Sequence, residues 1–250
     1  MRLIDSHCHV SDADFPLDQM ETLASARASG VDKIIVIGTD EADSISALDF
    51  AQKNSGVWAS VGVHPHEAKK GINFLRELDF NQPKLVAIGE IGLDYHYDHS
   101  PHDVQKRVLR EQIELALGHN LPIIFHVREA FTDFWPIVGD YDIKRAVVHS
   151  YSDNLANLEE ILANDWYVGI NGLVTFTKNK EQIAAFRQAP LERILLETDA
   201  PYLAPKPKRG EVNQPAFVSY VAEFLAQERG VSPEYVATVT SANVESLFSI

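Results

Sequence analysis

Eight short apolar runs, each unbroken by a polar residue or nearly so, recur along the chain with helix-like segments between them. They are Leu3–Ile4, Lys33–Ile37, Val57–Val61, Leu85–Ile88, Pro122–Phe125, Ala146–Val148, Tyr167–Ile170 and Ile194–Leu196. Half-exposed strands alternate apolar and polar residues. Continuous runs are the signature of strands buried on both faces, as in a parallel sheet covered by helices. The clearest intervening helix is Asp103–Gly118, where Val104, Val108, Leu109, Ile113 and Ala116 fall at helical spacing. Pro101 and Asp103 suit its start and Gly118 its stop. Eight strands with seven helices between them, and two more helical stretches after the last strand, predict an α/β fold of the closed (β/α)8 TIM-barrel type. An open, doubly wound sheet is the alternative that shares this alternation.

No repeat, low-complexity tract or long linker divides the 250 residues, so residues 1–250 are expected to form one unit. The Pro-rich, basic segment Ala204–Gly210 follows the last strand and reads as a substrate-facing loop. A net charge of −14 disfavours broad docking on duplex DNA or an anionic membrane. It does not exclude a nucleic-acid end entering a pocket whose metals supply positive charge. The single cysteine, Cys8, permits no intramolecular disulfide. With no signal-peptide pattern and no run of about 18 apolar residues, the expected location is cytoplasmic. The sequence points to no protein partner and no membrane.

The histidines carry the functional signal. His7 and His9 follow the first run with one residue between them, so an extended backbone points both side chains the same way. Glu90 follows the fourth run, His126 ends the fifth, His149 ends the sixth and Asp199 follows the eighth. In a barrel, all of these strand ends converge on one face, where active sites lie. Four imidazoles and two carboxylates exceed the needs of one tetrahedral ion and suit two divalent ions bridged by a carboxylate. His96, His99 and His102 fall in a loop and read as rim or solvated residues. His119 reads as a polar group at a helix C-terminus.

At these positions the chain resembles the TatD family of metal-dependent deoxyribonucleases, within the wider amidohydrolase-like barrels. The resemblance rests on Asp5-Ser-His-Cys-His9, Gly62-Val-His-Pro-His66, Gly89-Glu-Ile-Gly-Leu-Asp94, His126-Val-Arg128, His149-Ser150 and Glu197-Thr-Asp-Ala-Pro201, in the family's order. It implies that His7, His9, Glu90 and Asp199 hold one metal, and Glu90, His126 and His149 the other. It implies a nuclease acting on DNA ends with Mg, Mn or Zn, and some members are described as deacylases of mischarged tRNA. Two departures stand out. Ser150-Tyr151 follows His149 where the family often has Cys after the sixth-strand histidine, and Arg209-Gly-Glu-Val-Asn213-Gln-Pro215 carries Glu211 where the family often has lysine. Glu90 at the fourth strand argues against relatives that bridge their metals with a carbamylated lysine.

The roles expected on this basis are as follows. Asp199 is the general base, Glu90 the bridge, and His64 a phosphate donor or leaving-group acid, with His66 a weaker candidate. Arg128 and Arg209 are candidate phosphate contacts, and Tyr95 a base-stacking surface. Asp5 orients His7 or His9 from behind. The rival readings are a hydrolase of another ester, amide or small phosphodiester, and a metal-binding scaffold without turnover.

Overall fold

The computed structural model describes residues 1–97 and 99–250. Eight parallel strands stand in chain order: β1 (Leu3–Cys8), β2 (Val31–Ile37), β3 (Val57–Val61), β4 (Leu85–Asp94), β5 (Ile123–Arg128), β6 (Ala146–Val148), β7 (Tyr167–Ile170) and β8 (Ile194–Leu196). The helices among the described residues are α1 (Gln19–Ala28), α2 (Glu41–Lys53), α3 (Asn73–Glu77), α4 (His102–Gly118), α5 (Phe131–Val138), α6 (Leu155–Ala163), α7 (Lys180–Gln188), α8 (Val218–Arg229) and α9 (Pro233–Phe248). The expected (β/α)8 barrel is therefore the observed fold. None of these helices is long and apolar enough to cross a membrane.

Each strand splits its side chains between two apolar layers, because successive residues point to opposite faces. Ile123, Phe125, Ala146, Val148, Ile194 and Leu196 belong to the large cluster shared with the helices. Their neighbours Ile124, Val147 and Leu195 join Ile4, Ile35 and Ile37 in a smaller one, with Val244, Leu247 and Phe248 of α9 packed against it. His126, His149, Glu197 and Asp199 lie two or four residues beyond Ile124, Val147 and Leu195. They extend the same inward-facing rows, so an apolar plug supports the polar site.

The seam between β1 and β8 lies at this polar end. β8 stops at Leu196, yet the chain beyond it continues beside β1. Asp199 donates its N–H to the His7 carbonyl at 2.9 Å, and His9 donates to the Ala200 carbonyl at 2.8 Å. Cys8 and Ala200 form a parallel bridge. The bonds that draw the two ends of the sheet together thus place Asp199 beside His7 and His9.

Three strands run further than their apolar runs predict. β1 includes His7, and β4 continues through Glu90 to Asp94, so neither ligand candidate follows its strand. β5 likewise passes His126 to reach Arg128. Pairing of Gly92 with His126 and of Asp94 with Arg128 extends the β4–β5 ladder into the site. Gly92 is required there, since a Cβ would lie 1.8 Å from the His126 carbonyl oxygen.

The outer layer gives a direct stability test. Phe134 is fully buried, with its ring 5.0 Å from that of Phe125. Phe134→Ala is expected to lower unfolding stability by about 3–5 kcal/mol in urea titrations; a loss under about 1 kcal/mol would show that the layer collapses around the gap.

Candidate metal centre

Glu90 sits mid-strand in β4, 3% exposed, and its two carboxylate oxygens face different groups. Oε1 lies 2.6 Å from His126 Nδ1, 2.6 Å from His149 Nε2 and 3.5 Å from His64 Nε2. Oε2 lies 3.3 Å from His7 Nε2 and 4.0 Å from His9 Nε2. Asp199 closes the second group, with Oδ1 3.7 Å from His7 Nε2 and 3.5 Å from His9 Nε2. The six predicted ligand candidates therefore meet in one place.

Ligand-type atoms converge in three overlapping sets: His7, His149 and Asp199; His7, His9 and Glu90; and His64, Glu90 and His126. His7 and His149 rings stack 3.9 Å apart and lie nearly parallel. Among the described residues, His7 Nδ1 and Nε2 and His149 Nδ1 are buried without a hydrogen-bond partner. Buried polar atoms in native proteins are normally satisfied. Imidazole nitrogens beside carboxylates are the donor set of a divalent cation, and His7 Nε2, orphaned beside Glu90 and Asp199, fits one.

Charge explains the protonation pattern of these groups. Burial works against ionisation of Glu90, but His149, His64 and His126 outweigh it and hold the carboxyl well below the usual carboxylate range. Burial likewise opposes ionisation of Asp199, and pairing with His9, His149 and His7 brings it below its ordinary value. His64 moves the other way: burial lowers it to about 4, with Glu90 opposing and His126 adding to the fall. Its Nδ1 accepts the His66 N–H at 3.1 Å, so the neutral ring carries its proton on Nε2, toward Glu90.

The chain holds these groups through buried polar clamps. Gln105 and Gln112 of α4 stand two helical turns apart on its inner face. Gln112 accepts from the Val63 N–H at 2.7 Å and donates to the Val63 carbonyl at 3.0 Å, which fixes the backbone before His64. Gln105 does the same for Asp94, at 2.9 and 3.1 Å. Asn213 donates to the Thr198 and Tyr202 carbonyls at 2.8 and 2.5 Å and pins the turn that carries Asp199.

Asp5 behaves differently from expectation. It reaches neither imidazole. Its Oδ1 accepts from the His7 and Thr198 N–H groups at 3.3 and 2.9 Å, and Oδ2 accepts from the Thr198 hydroxyl at 2.6 Å. Asp5 thus ties the backbone of β1 to that of the Asp199 turn. Tyr95 also departs from the base-stacking role, because its ring stacks on His102 at 3.7 Å and its hydroxyl donates to Asp133 at 2.8 Å.

The remaining candidates lie around the rim. Arg128 ends β5, exposed, with its guanidinium 5.0 Å from the Tyr97 ring. Arg209 is engaged within its own loop, donating to the Ala204 carbonyl at 3.0 Å and lying 3.9 Å over Phe176. His66 Nε2 is 3.0 Å from Asp94 Oδ2, and His99 lies 4.6 Å from the His66 ring. His96 pairs with Glu129 at 2.8 Å. His119 caps α4 and stacks on Phe80.

Two acids behind the ligands escaped the sequence reading. Asp94 Oδ2 lies 3.0 Å from His126 Nε2. Glu197, 1% exposed, accepts the Ser150 N–H at 2.6 Å and lies 3.7 Å from His149 Nδ1. The signal was parity: Asp94 is four residues from Glu90 and Glu197 two from Asp199, on the same inward rows.

A family model described as TatD related DNase matches residues 4–249. The uncharacterized metal-dependent hydrolase YabD of Bacillus subtilis is 35% identical over 254 residues, covering 99% of each chain. The 3'-5' ssDNA/RNA exonuclease TatD of Cronobacter sakazakii is 33% identical over 258 residues, covering 98% of this chain and 97% of its own. Among solved structures, YJJV, a TatD homolog from Escherichia coli K12, superposes with a TM-score of 0.93 at 30% identity, covering 100% of this chain and 98% of its own.

Glu197 occupies a seat that only glycine leaves open, since a Cβ on Gly169 would fall 2.2 Å from its Oε2. Gly169→Ala is expected to displace that carboxylate and lower stability by about 1–3 kcal/mol in denaturant titrations of the metal-free protein. Unchanged stability would show that Glu197 is free to move aside.

Proposed function

Because the chain belongs to the TatD-related DNase family, we propose that it is a metal-dependent phosphodiesterase acting on nucleic-acid ends, with two divalent ions held by His7, His9, Glu90, His126, His149 and Asp199. The observation that carries this reading is the division of the Glu90 carboxylate. One oxygen faces His126 and His149 and the other faces His7 and His9, as a bridge between two cations requires. A relative 33% identical is named a 3'-5' ssDNA/RNA exonuclease, which supports a nucleic-acid substrate. Mg, Mn and Zn all suit a mixed imidazole and carboxylate set.

Divalent ions in this site supply a water of lowered pKa and neutralise charge on the phosphate oxygens. The protein's own groups do the rest. Asp199, ionised and directed at the centre, accepts the proton of the attacking water. His64, held neutral by burial, presents its Nε2–H, which suits it to hydrogen-bond a phosphate oxygen as charge builds on it and not to act as the acid for the leaving group, whose proton comes from solvent. Arg128, exposed at the end of β5, contacts a neighbouring phosphate. Arg209 serves the same end from the loop after β8, and its stacking on Phe176 holds it there.

One observation favours a smaller substrate as the second reading. Glu211 pairs with Lys208 at 3.1 Å, which neutralises a cation of the loop after β8. A chain of net charge −14 with that loop offers little beyond the metal centre to hold a long polyanion. A small phosphodiester or another ester then becomes the substrate of the same centre. Parallel assays on a short single-stranded oligonucleotide and on small esters separate the two.

Two substitutions test the assignment. Asp199→Ala is expected to reduce metal-supported phosphodiester cleavage by at least about a hundredfold; turnover within a few-fold of wild type would remove Asp199 from the reaction. Glu90→Ala is expected to retain fewer than two equivalents of metal by elemental analysis, and two full equivalents would contradict the bridge.

A further inference from the structure

Asp94 has a set of contacts that the reaction scheme leaves unused. It is 1% exposed and makes four hydrogen-bond contacts through its carboxylate. Oδ2 lies 3.0 Å from His126 Nε2 and 3.0 Å from His66 Nε2. Oδ1 accepts the N–H groups of His96 and Tyr97 at 2.9 and 3.1 Å. The Gln105 clamp fixes its backbone from the other side. One rigid acid thus ties a ligand candidate, His126, to the first turn of the loop that carries Tyr97.

No comparable carboxylate contact stands behind His7 or His149. His7 Nδ1 has no hydrogen-bond partner among the described residues. The acid nearest to His149 Nδ1, Glu197, lies at 3.7 Å, beyond hydrogen-bond range. Of these three imidazoles, His126 is the one whose second nitrogen is held by a carboxylate at bonding distance. An ionised carboxylate only accepts, so His126 must carry its proton on Nε2. Its Nδ1, which faces Glu90, is then the nitrogen that would be left to ligate a cation.

Building on the two-ion reading, we propose that Asp94 is a positioning residue that fixes the tautomer and orientation of His126, and so sets the affinity of the His126–His149 half of the centre and not of the His7–His9 half. Partners of this kind typically change metal affinity by about ten- to a hundredfold when removed. Asp94 also carries the coupling outward. The turn it holds presents Tyr97, 44% exposed, next to Arg128, so the rim and this half of the centre share one anchor.

Asp94→Asn is a pointed test because it reverses the hydrogen-bond logic. An amide can still accept from the His96 and Tyr97 N–H groups through its oxygen. Its NH2 then faces the two imidazoles and demands an acceptor, which moves the His126 proton to Nδ1. The full-length metal-free protein is titrated with Mn2+ by calorimetry, and bound metal is counted by elemental analysis after dialysis. Wild type is expected to take up two equivalents. Asp94→Asn is expected to bind one with wild-type affinity and the other about ten- to a hundredfold more weakly. Asp199→Asn is expected to weaken the opposite equivalent, and the double variant both.

Equal weakening of both equivalents in Asp94→Asn, or of neither, overturns the role of Asp94 and leaves the two-ion reading intact. A single equivalent in wild type overturns the two-ion reading and the selectivity with it. If Asp94→Asn does not fold, Asp94→Ser, too short to reach either imidazole, must give the same selective loss. His66→Gln provides the remaining check. It leaves the Asp94–His126 bond in place, so Mn2+ affinity is expected to stay within about twofold of wild type. A tenfold loss there would mean that Asp94 acts through His66 instead.

Discussion

The Glu90 carboxylate is where the strain between burial and charge in this barrel is resolved. A buried acid is unfavourable unless positive charge or hydrogen bonds surround it. Here five imidazoles lie within 4.0 Å of its two oxygens, contributed by β1, the turn after β1, the turn after β3, β5 and the end of β6. Together those rings offset the cost of burying Glu90 as an anion. The converse holds for His7, whose buried Nε2 has no hydrogen-bond partner among the described residues and lies 3.3 Å from Glu90. This interdependence makes the centre one unit, although its residues span nearly the whole sequence.

The fold supplies that unit with a floor and a seam. The plug of Ile35, Ile37, Ile124, Val147 and Leu195 fills the barrel beneath the polar residues. Ligands on neighbouring strands therefore rest on packed side chains, which is how a site is kept in register without loops. The seam is less regular. β1 and the segment after β8 are joined by backbone bonds at His7, His9, Asp199 and Ala200, with Asp5 and Thr198 stitched alongside. The polar stitching that completes the sheet is the same stitching that positions Asp199.

Much of this was legible in the sequence. Strands buried on both faces write themselves as apolar runs, and the ligand-type residues stood just beyond those runs. The runs ended too early in β1 and β4 because the site is built inside the strands: Asp5, Ser6 and His7, then Glu90 and Asp94, interrupt the apolar pattern without interrupting the strand. Gln105 and Gln112 were hidden for a related reason. They interrupt an otherwise apolar helix face, and only the fold reveals that they clamp Val63 and Asp94. Roles that depend on direction were the least accessible. Nothing in the residue Asp5 says that it bonds to backbone and not to imidazole, and nothing in Tyr95 says that Asp133 and His102 already occupy it.

The centre as a whole is tested most directly by crystals of the protein loaded with Mn2+ and measured for anomalous scattering near the manganese edge. The account predicts two peaks, one among His7, His9 and Asp199 and one beside His126 and His149, with Glu90 between them at about 3.5–4 Å separation. A single peak, or two peaks that do not share Glu90, would contradict it.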